Sequence, residues 1–263
     1  MAAAALAARV PRLNAKRSEP AVACGLAFDE PRGPLVAVCG LVGGAGASTL
    51  ALCLARQAAH ESAAPVLLTE LDGSSAGLAV LAGQASALCL RDLAQQVADR
   101  QPPARSFVEL EPRLRLLASP PRRGAETKPE HLRALLRDAR AAHGLAIVDC
   151  GTDWDAAGPV LNEASHIVWA LPATRTALAR AQALLDSDIL PRPGGWRELL
   201  AATALDPRST ASVRALRHLA GQRCDRLVLI PHSAALARGD VAHGSEQLNR
   251  ALTGLASILR SEP

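Results

Sequence analysis

Short apolar segments alternate with segments of helical periodicity along most of the chain. The first apolar segment, Leu35–Cys39, is followed by a glycine-rich loop and then by a predicted helix over about 48–60. The other segments of strand length are Pro65–Thr69, Leu114–Ala118, Leu145–Val148, His166–Leu171, Leu199–Leu205 and Arg226–Ile230. The other predicted helices cover 76–83, 89–100, 129–142, 174–188 and 244–259. Short apolar strands that alternate with helices are typical of a doubly wound, mostly parallel α/β sheet, here with about seven or eight strands.

The pattern also divides the chain into a leader and one domain. Residues 1–33 mix Ala, Arg, Pro and charged residues without steady periodicity, which predicts a flexible leader. Residues 34–263 contain no internal repeat and no linker long enough to separate two domains. The apolar first ten residues lack a preceding basic segment, and no apolar run approaches the ~20 residues of a membrane-spanning helix. We therefore expect a cytoplasmic protein, with a peripheral position at the membrane, septum or cell pole as an alternative.

Composition limits what the core and the partners can be. Apolar residues make up 49% of the chain and aromatic residues only 2%, so Leu, Ala and Val must fill the core. The net charge of +4 is too small to indicate nucleic-acid binding by itself. Lys16 and Lys128 are the only lysines. Six scattered cysteines without a zinc-ligand spacing predict buried free thiols, with no zinc site and no disulfides.

The loop after the first strand has the composition of a phosphate-binding loop. Glycines let the backbone approach an anion closely, and the N-terminus of the following helix directs N–H groups towards that anion. The phosphate-loop pattern is G-x-x-x-x-G-K-[ST], and Gly40, Gly46 and Ser48 match it. Where the pattern requires lysine, this chain has Ala47. The sequence therefore predicts a nucleotide-binding loop without its main charged residue.

Acidic residues follow the ends of two later strands. Glu70 and Asp72 come directly after the second apolar segment, and Asp149 closes the fourth. Because ligands of doubly wound sheets bind at the carboxyl ends of the strands, we expect these acids and the loop to line one crevice. Pro172 and Pro231, which close two further strands, are expected at the same crevice.

These segments resemble, in order, those of the ParA/MinD family of deviant phosphate-loop ATPases. The family's loop reads K-G-G-x-G-K-[ST], and 42–48 matches its glycine skeleton with both lysines replaced. The segment 66–72 resembles the family's strand ending in D-x-D, with Glu70 in place of the first Asp, and 146–149 resembles the Walker B strand. Residues 43–51 look most like the CpaE/TadZ-type branch, which includes septum-site-determining and secretion- or pilus-neighbourhood proteins. The resemblance extends over about 35–259 and implies the three-layer sandwich of phosphate-loop NTPases.

The resemblance also implies a site for ATP and Mg²⁺. The nucleotide-binding residues that it implies are Gly43, Gly44, Ala45, Gly46, Ala47, Ser48 and Thr49. Mg²⁺ would be held through Ser48, Asp72 and Asp149, and Glu70 would be the catalytic residue that aligns the attacking water. The segment 230–232, which contains His232, resembles the one near the adenine. The family's adenine-reading asparagine has no counterpart near 205–206.

The two missing lysines change the activity that we expect. A lysine at position 47 would neutralise phosphate charge during transfer, whereas Ala47 has neither a donor nor a charge. Losing a charge-assisted hydrogen bond of roughly 1.5–3 kcal/mol weakens binding by about ten- to hundred-fold. Transition-state stabilisation should suffer more, because charge builds up there. Val42 cannot replace the second lysine, which in the family reaches across a nucleotide-sandwich dimer, while Arg175 is a candidate substitute for the first. Cys150–Gly151 also departs from the family's pattern after the Walker B strand.

Three functions remain open at this point. The first is a degenerate ParA/MinD/CpaE-like protein with weak or no ATP hydrolysis. It would act as a localisation or regulatory factor in septum-site selection, cell division or secretion and pilus assembly, with a homodimer or proteins of that apparatus as partners. The second is a slow ATPase of the ParA/MinD type that works as an ATP-dependent dimer switch. The third is a partition module that binds DNA or membrane.

The features that favour the third function are weak. Leu248, Leu252, Leu255 and Leu259 form an apolar stripe on the last helix, but the polar face has few cations for a membrane surface. We therefore favour packing of that helix on the sheet. The arginines between 105 and 140 alternate with acids and prolines, which favours a solvated surface over a DNA-binding one.

Overall fold

The computed structural model describes residues 33–71, 77–86, 88–99, 107–118, 128–187, 189–190, 197–205, 211–237 and 245–260. The strands in this part of the chain are β1 (Leu35–Gly40), β2 (Val66–Glu70), β3 (Val108–Glu111), β4 (Leu114–Leu117), β5 (Leu145–Gly151), β6 (His166–Pro172), β7 (Arg197–Leu205) and β8 (Arg226–Pro231). They form one sheet in the order β3-β4-β2-β5-β1-β6-β7-β8. Only the pair β3 and β4 is antiparallel. The predicted doubly wound, mostly parallel sheet is confirmed.

The helices cover both faces of this sheet. Those in the described part of the chain are α1 (Ala47–Glu61), α2 (Gly77–Ala82), α3 (Leu90–Ala98), α4 (Pro129–Ala142), α5 (Trp154–Glu163), α6 (Arg175–Leu185), α7 (Val213–Gly221), α8 (Ala234–Ala237) and α9 (Glu246–Arg260). Apolar residues of α1, α2 and α9 form one core layer, and those of α3 to α7 form the other. The molecule is therefore a three-layer sandwich.

Strand β1 lies at the centre of the sheet because it is apolar on both faces. Leu35 and Ala37 belong to the layer with α3 to α7, whereas Val36 and Val38 belong to the layer with α1 and α9. All four are fully buried, as the alternation of side chains along a strand requires for a strand covered on both sides. The loop that follows β1 therefore starts from a central strand that is buried on both faces.

The sequence pattern does not predict four of the described elements, namely β3, α5, α7 and α8. Strand β3 is an edge strand in which glutamates alternate with half-buried apolar residues, so it has no continuous apolar run. Helix α5 contains Gly158 and Pro159, which are signals of turns. It forms because Asp153 caps its first turn and because its apolar face packs into the core. Helix α8 has only four residues, too few to establish a period. Helix α7 does show a helical period, because it buries Leu216, Leu219 and Ala220 on one face, so its omission is an error of the prediction.

The last helix packs on the sheet, as we favoured from the sequence. Leu248, Leu252, Leu255 and Leu259 are buried in the core layer that α9 shares with α1. The apolar stripe is thus used inside the molecule and is not available to a membrane surface. In the described part of the chain, no helix has the length and apolar character needed to cross a bilayer.

Candidate functional site

The loop between β1 and α1 adopts backbone conformations that favour glycine. Gly44 and Gly46 have φ angles of 72° and 78°, in the left-handed region. Gly46 is also the N-cap of α1, and no side chain caps this helix end. A Cβ added at Gly43, Gly44 or Gly46 would meet no atom within 4 Å, so the space in front of the loop is open. The first N–H groups of a 15-residue helix therefore adjoin an open cradle.

Hydrogen bonds from two neighbouring elements hold this loop. The hydroxyl group of Thr203 in β7 donates to the carbonyl of Ala45 at 2.9 Å. The indole N–H of Trp154 in α5 donates to the carbonyl of Gly40 at 3.2 Å. These two hydrogen bonds tie the loop to β7 and α5.

Two buried carboxylates lie at the C-terminal ends of neighbouring strands. Glu70 in β2 is the register partner of Asp149 in β5, and the two residues are only 3% and 6% exposed. The N–H of Gly151 donates to Asp149 Oδ1 at 3.2 Å. Gly151 reaches this position with a φ angle of 60°, which favours glycine. The Cys150–Gly151 step that departs from the family's pattern thus makes a turn that orients the carboxylate of Asp149.

A cavity of about 600 Å³ brings the loop and the carboxylates together. The loop residues 42–49 and Gly40 line one side, and Glu70, Leu71 and the segment 149–153 line another. Gly77, Val80 and Leu81 of α2 complete the described lining. This volume is in the range of small-molecule sites, which run from roughly 300 to 1,000 Å³. Every described residue that was predicted for nucleotide, metal or water contact borders this cavity, while Asp72 lies outside the described residues.

The expectation that two further strand ends share the crevice is wrong for this cavity. Pro172 and Pro231 are described, but neither is among its lining residues. Strand β8 is three strands from β1 in the sheet, which amounts to roughly 14 Å at ~4.8 Å per strand. In β6, Ala170 is the register partner of Gly40, the last residue of β1, and Pro172 lies two residues further along β6. The cavity therefore opens on the β5 and β2 side of the loop and away from β8.

Two other candidates also lie away from the cavity. His232 is an exposed residue after β8, and it does not line the cavity that the loop borders. Arg175, the candidate replacement for the missing lysine, is the exposed first residue of α6 and is not a lining residue either. Neither side chain borders the cavity in the part of the chain that the structure describes.

The described cavity lining has acidic side chains and no basic ones. Its charged residues are Glu70, Asp149 and Asp153, and no described lining residue is Lys, Arg or His. Ala47 is 8% exposed at the position where the phosphate-loop pattern requires lysine. Positive potential at the described lining comes only from backbone N–H groups and the N-terminus of α1.

Two cysteines near the loop, Cys53 and Cys150, have raised pKa values. A hydrogen bond with the side chain of Cys39, followed by burial, raises the pKa of Cys150 well above its usual value. Burial raises the pKa of Cys53 to about 11. Because the thiolate is the reactive form, neither side chain is a nucleophile at neutral pH. The cysteines that the structure describes are Cys39, Cys53, Cys89, Cys150 and Cys224, and all five are free.

The solved structures to which this chain is similar include ParA and MinD proteins. The ParA family ATPase from Chlorobium tepidum TLS has a TM-score of 0.70 and 20% sequence identity, over 86% of this chain and 98% of that one. The fold is that of the ParA/MinD ATPases. MinD in the MinC:MinD cell division complex of Aquifex aeolicus has a TM-score of 0.67 and 15% identity, over 88% of this chain and 97% of that one.

A third neighbour carries a ligand. The septum site-determining protein MinD from Pyrococcus horikoshii, complexed with Mg-ADP, has a TM-score of 0.63 and 13% identity, over 87% of this chain and 96% of that one. No protein-family model matches the sequence, and no curated protein sequence is similar to it. At these identities the likeness establishes the fold alone.

The described residues fit a nucleotide bound together with a metal ion. The open glycine cradle leaves room for phosphate oxygens, and the half-buried Ser48 stands in the first turn of α1 beside it. The carboxylate of Asp149 borders the same cavity and is of the oxygen type that Mg²⁺ prefers. In the described part of the chain, no cluster of three or more His, Cys, Asp or Glu side chains could hold a metal ion by itself.

Sequence reasoning missed residues that complete the site. Thr203 and Trp154 support the loop from distant parts of the chain, and nothing in the local pattern indicates such contacts. Val80 of α2 borders the cavity while remaining 67% exposed. Of the residues that complete the site, only Gly151 could have been predicted from the sequence. It stands two positions after the acid that ends a strand, and a glycine in that place is typical of a turn.

Proposed function

We propose that this protein is a nucleotide-binding regulatory protein of the ParA/MinD type with little or no ATP hydrolysis. The observation that carries the proposal is the loop itself. Its glycine conformations, its support from β7 and α5 and its open cradle are intact, while Val42 and Ala47 occupy the two lysine positions of the family's loop. Such a site retains what is needed to bind phosphate groups and loses a main source of transition-state stabilisation.

Each described residue has a definite part in this proposal. The N–H groups of 43–49 would bind phosphate oxygens. The hydroxyl of Ser48 would contact Mg²⁺, and Asp149 would contact the metal or the water bound to it. Mg²⁺ would neutralise phosphate charge. Glu70 orients water near the terminal phosphate, where its carboxylate accepts a hydrogen bond from that water. Asp72 is proposed as a further carboxylate for the hydrated metal.

The process is proposed from the resemblance of the loop. Residues 43–51 look like the CpaE/TadZ-type branch, and the fold neighbours include MinD in its complex with MinC and a septum site-determining protein. We infer a localisation or regulatory role in septum-site selection, cell division or secretion and pilus assembly. The protein would exert that role through a homodimer or through protein partners, in the cytoplasm or at the septum or pole.

A slow ATPase is the second candidate, and a specific observation favours it. Glu70 and Asp149 are buried side by side at the cavity, where they could orient water and metal-bound water. Retention of both acids is what residual catalysis would need. The DNA- or membrane-binding module has less support, because the leucines of α9 are buried in the core. In addition, two arginines of α4 interact with other residues of the protein. Arg137 forms an ion pair with Glu163, and Arg140 donates a hydrogen bond to the carbonyl of Gly33.

Measurements of ATP binding and phosphate release distinguish the hydrolysis-deficient protein from the slow ATPase. We expect the wild type to bind ATP in the presence of Mg²⁺ and to release phosphate no faster than a Ser48→Ala variant. Ala47→Lys should tighten binding by about ten- to hundred-fold, which is the effect of one charge-assisted hydrogen bond of roughly 1.5–3 kcal/mol. Val42→Lys with Ala47→Lys restores both family lysines and tests whether turnover returns.

Matched variants show whether a change in ATP binding or turnover comes from the charge at position 47. Ala47→Met adds side-chain length at the same position without charge, so it should bind no more tightly than the wild type. Wild-type turnover that Ser48→Ala abolishes would contradict the hydrolysis-deficient proposal in favour of the slow ATPase. Absence of binding to the wild type and to both lysine variants would contradict the nucleotide site itself.

A further inference from the structure

The peptide group between Ala45 and Gly46 is held from the side of β7. The hydroxyl of Thr203 donates to the carbonyl of Ala45 at 2.9 Å, across 158 positions of the chain. The N–H of Ala45 donates to the carbonyl of Val42 at 3.2 Å, inside the loop. Both polar groups of the Ala45 backbone are therefore fixed by hydrogen bonds.

The N–H of Gly46 belongs to the same peptide group and points the opposite way, because a trans peptide is planar with its carbonyl and its N–H on opposite sides. The carbonyl of Ala45 points to β7, which lies two strands from β1, whereas the cavity opens on the β5 and β2 side of the loop. Gly46 is exposed and lines that cavity. Its N–H is therefore directed to the side of the cavity, and no described group accepts a hydrogen bond from it.

A register shift in β7 occurs where Thr203 contacts the loop. Strand β7 pairs with β8 up to Ala202, and the register then shifts before Leu205. On its other side Thr203 remains the register partner of Pro172 in β6, and its carbonyl accepts from the N–H of Ala173 at 2.9 Å. Such irregularities bend a strand, change the direction of its side chains and are frequent beside functional sites. This one coincides with the residue of β7 that bonds the loop.

We propose that Thr203 is a positioning residue of the phosphate site, which orients the N–H of Gly46 towards a phosphate oxygen. This inference rests on the proposed nucleotide site and deepens it, because it assigns the orientation of a loop donor to a residue outside the loop. Apart from the hydroxyls of Ser48 and Thr49, the side chains of 42–49 carry no hydrogen-bond donor. Backbone N–H groups are the loop's other donors to phosphate, so an N–H that turns away weakens ligand binding.

Equilibrium binding of a fluorescent ADP analogue, measured by fluorescence polarisation with Mg²⁺ present throughout, tests this role. Thr203→Val keeps the branched shape of the side chain and removes the donor, whereas Thr203→Ser keeps the hydroxyl. We expect Thr203→Val to bind about three- to tenfold more weakly than the wild type, the effect of one neutral hydrogen bond. Thr203→Ser should bind within about twofold of the wild type, because the donor is retained.

Competition by pyrophosphate shows which part of the ligand is affected. Pyrophosphate displaces the analogue and has no nucleoside, so its affinity reports the phosphate contacts alone. We expect Thr203→Val to weaken the binding of pyrophosphate and of the ADP analogue by the same factor. A loss with the ADP analogue and none with pyrophosphate would contradict a contact between Gly46 and phosphate.

The amide signal of Gly46 gives a readout that a purely structural role of Thr203 would not change. In ¹⁵N-resolved NMR spectra, saturating pyrophosphate should shift this signal in the wild type and in Thr203→Ser. In Thr203→Val the shift should fall, while that of Gly43, whose N–H belongs to another peptide group, is retained. Equal shifts of the Gly46 signal in all three proteins would overturn the proposal.

Ser165 supplies a matched control at the opposite end of β1. Its hydroxyl donates to the carbonyl of Leu35 at 3.0 Å, which is again a bond from a hydroxyl to the main chain. Leu35 is the first residue of β1 and Gly40 the last, so this bond lies roughly 16 Å from the loop at ~3.3 Å per residue. Ser165→Ala should lower the melting temperature and leave both affinities within about twofold of the wild type. An equal loss of affinity in Ser165→Ala and Thr203→Val would contradict a specific role of Thr203.

The outcomes distinguish this inference from the proposed function. Thermal unfolding without ligand checks that each variant is folded, and Thr203→Ala takes the place of Thr203→Val in every comparison if the latter is unfolded. Wild-type affinity without the hydroxyl, or an equal loss in Thr203→Ser, would overturn the positioning role and leave the nucleotide site standing. Binding of neither ligand by the wild type or by Ala47→Lys would overturn the nucleotide site, and this inference with it.

Discussion

Individual loop glycines differ in what they require of the backbone. Gly43 and Gly46 both face open space, since an added Cβ would meet no atom within 4 Å at either position. Only Gly46 has a positive φ angle, 78°, which is unfavourable for a residue with a Cβ. Because an added Cβ makes no steric contact at either position, a comparison of the two isolates the effect of backbone strain.

We predict that Gly46→Ala lowers the free energy of unfolding by about 1–2 kcal/mol, the usual penalty for a left-handed non-glycine residue. Gly43→Ala should change it by less than about 0.5 kcal/mol, as a substitution free of strain and clash does. Urea denaturation of both variants beside the wild type measures this difference. Equal destabilisation by the two substitutions would contradict the role of the φ angle.

At the scale of elements, the last helix is joined to the first by a polar cluster as well as by its leucines. Glu61 at the end of α1 accepts hydrogen bonds from Gln57 and Thr253 and forms an ion pair with Arg260. Burial acts to raise the pKa of Glu61, but these hydrogen bonds and the charge of Arg260 together lower it below its usual value of 4.5. The ionised carboxylate therefore stabilises the packing of α9 against α1.

The sign of this shift sets the pH range of its effect. A lowered pKa contributes stability that is fully present above 4.5 and is lost as the pH falls through the folded-state value. We predict that Glu61→Gln lowers the free energy of unfolding by about 1 kcal/mol at pH 7, within the range of a partly buried charge-assisted contact. The difference from the wild type should shrink when unfolding is measured below pH 4.5.

A control for this prediction lies at the start of α9. Glu246 and Arg250 form an ion pair at 2.6 Å whose side chains are 82% and 71% exposed. Glu246→Gln should change stability by no more than about 0.5 kcal/mol, because exposed pairs within a helix contribute little. A larger loss with Glu246→Gln than with Glu61→Gln would contradict the importance of burial.

At the scale of the whole molecule, one sheet separates two apolar layers. Ile147 in β5 belongs to the layer with α1 and α9, and Ile167 in β6 belongs to the layer with α3 to α7. Both are fully buried. Strand β1 lies between β5 and β6, which places the two side chains at least roughly 9.6 Å apart, two strand spacings of ~4.8 Å.

We predict that Ile147→Val and Ile167→Val each cost about 0.5–1.5 kcal/mol, the usual effect of deleting a buried methylene. The double variant should lose the sum of the two to within about 0.5 kcal/mol, because the sites are distant and share no layer. Urea denaturation with a single transition in all three variants measures this. A coupling well above that limit would mean that the layers do not respond independently.

Much of this architecture follows from the pattern of apolar residues alone. Continuous apolar runs of strand length such as Leu145–Val148 indicate strands buried on both faces, and their alternation with helices predicts a parallel sheet. The glycines of the loop and the acid at each strand end then indicate the edge where a ligand binds. Elements with exposed or interrupted patterns, such as β3 and α5, escape this reasoning because tertiary packing stabilises them.

The sequence by itself determined the fold class, the position of the glycine-rich loop and the absence of lysine from it. These are local properties, set by side-chain period, by glycine and by residue identity. Only the tertiary structure decided that Glu70 and Asp149 are neighbours, that Thr203 and Trp154 support the loop, and that Arg175 and His232 lie away from the cavity. Those facts depend on strand order and register, which bring together residues far apart in the chain and which no local pattern encodes.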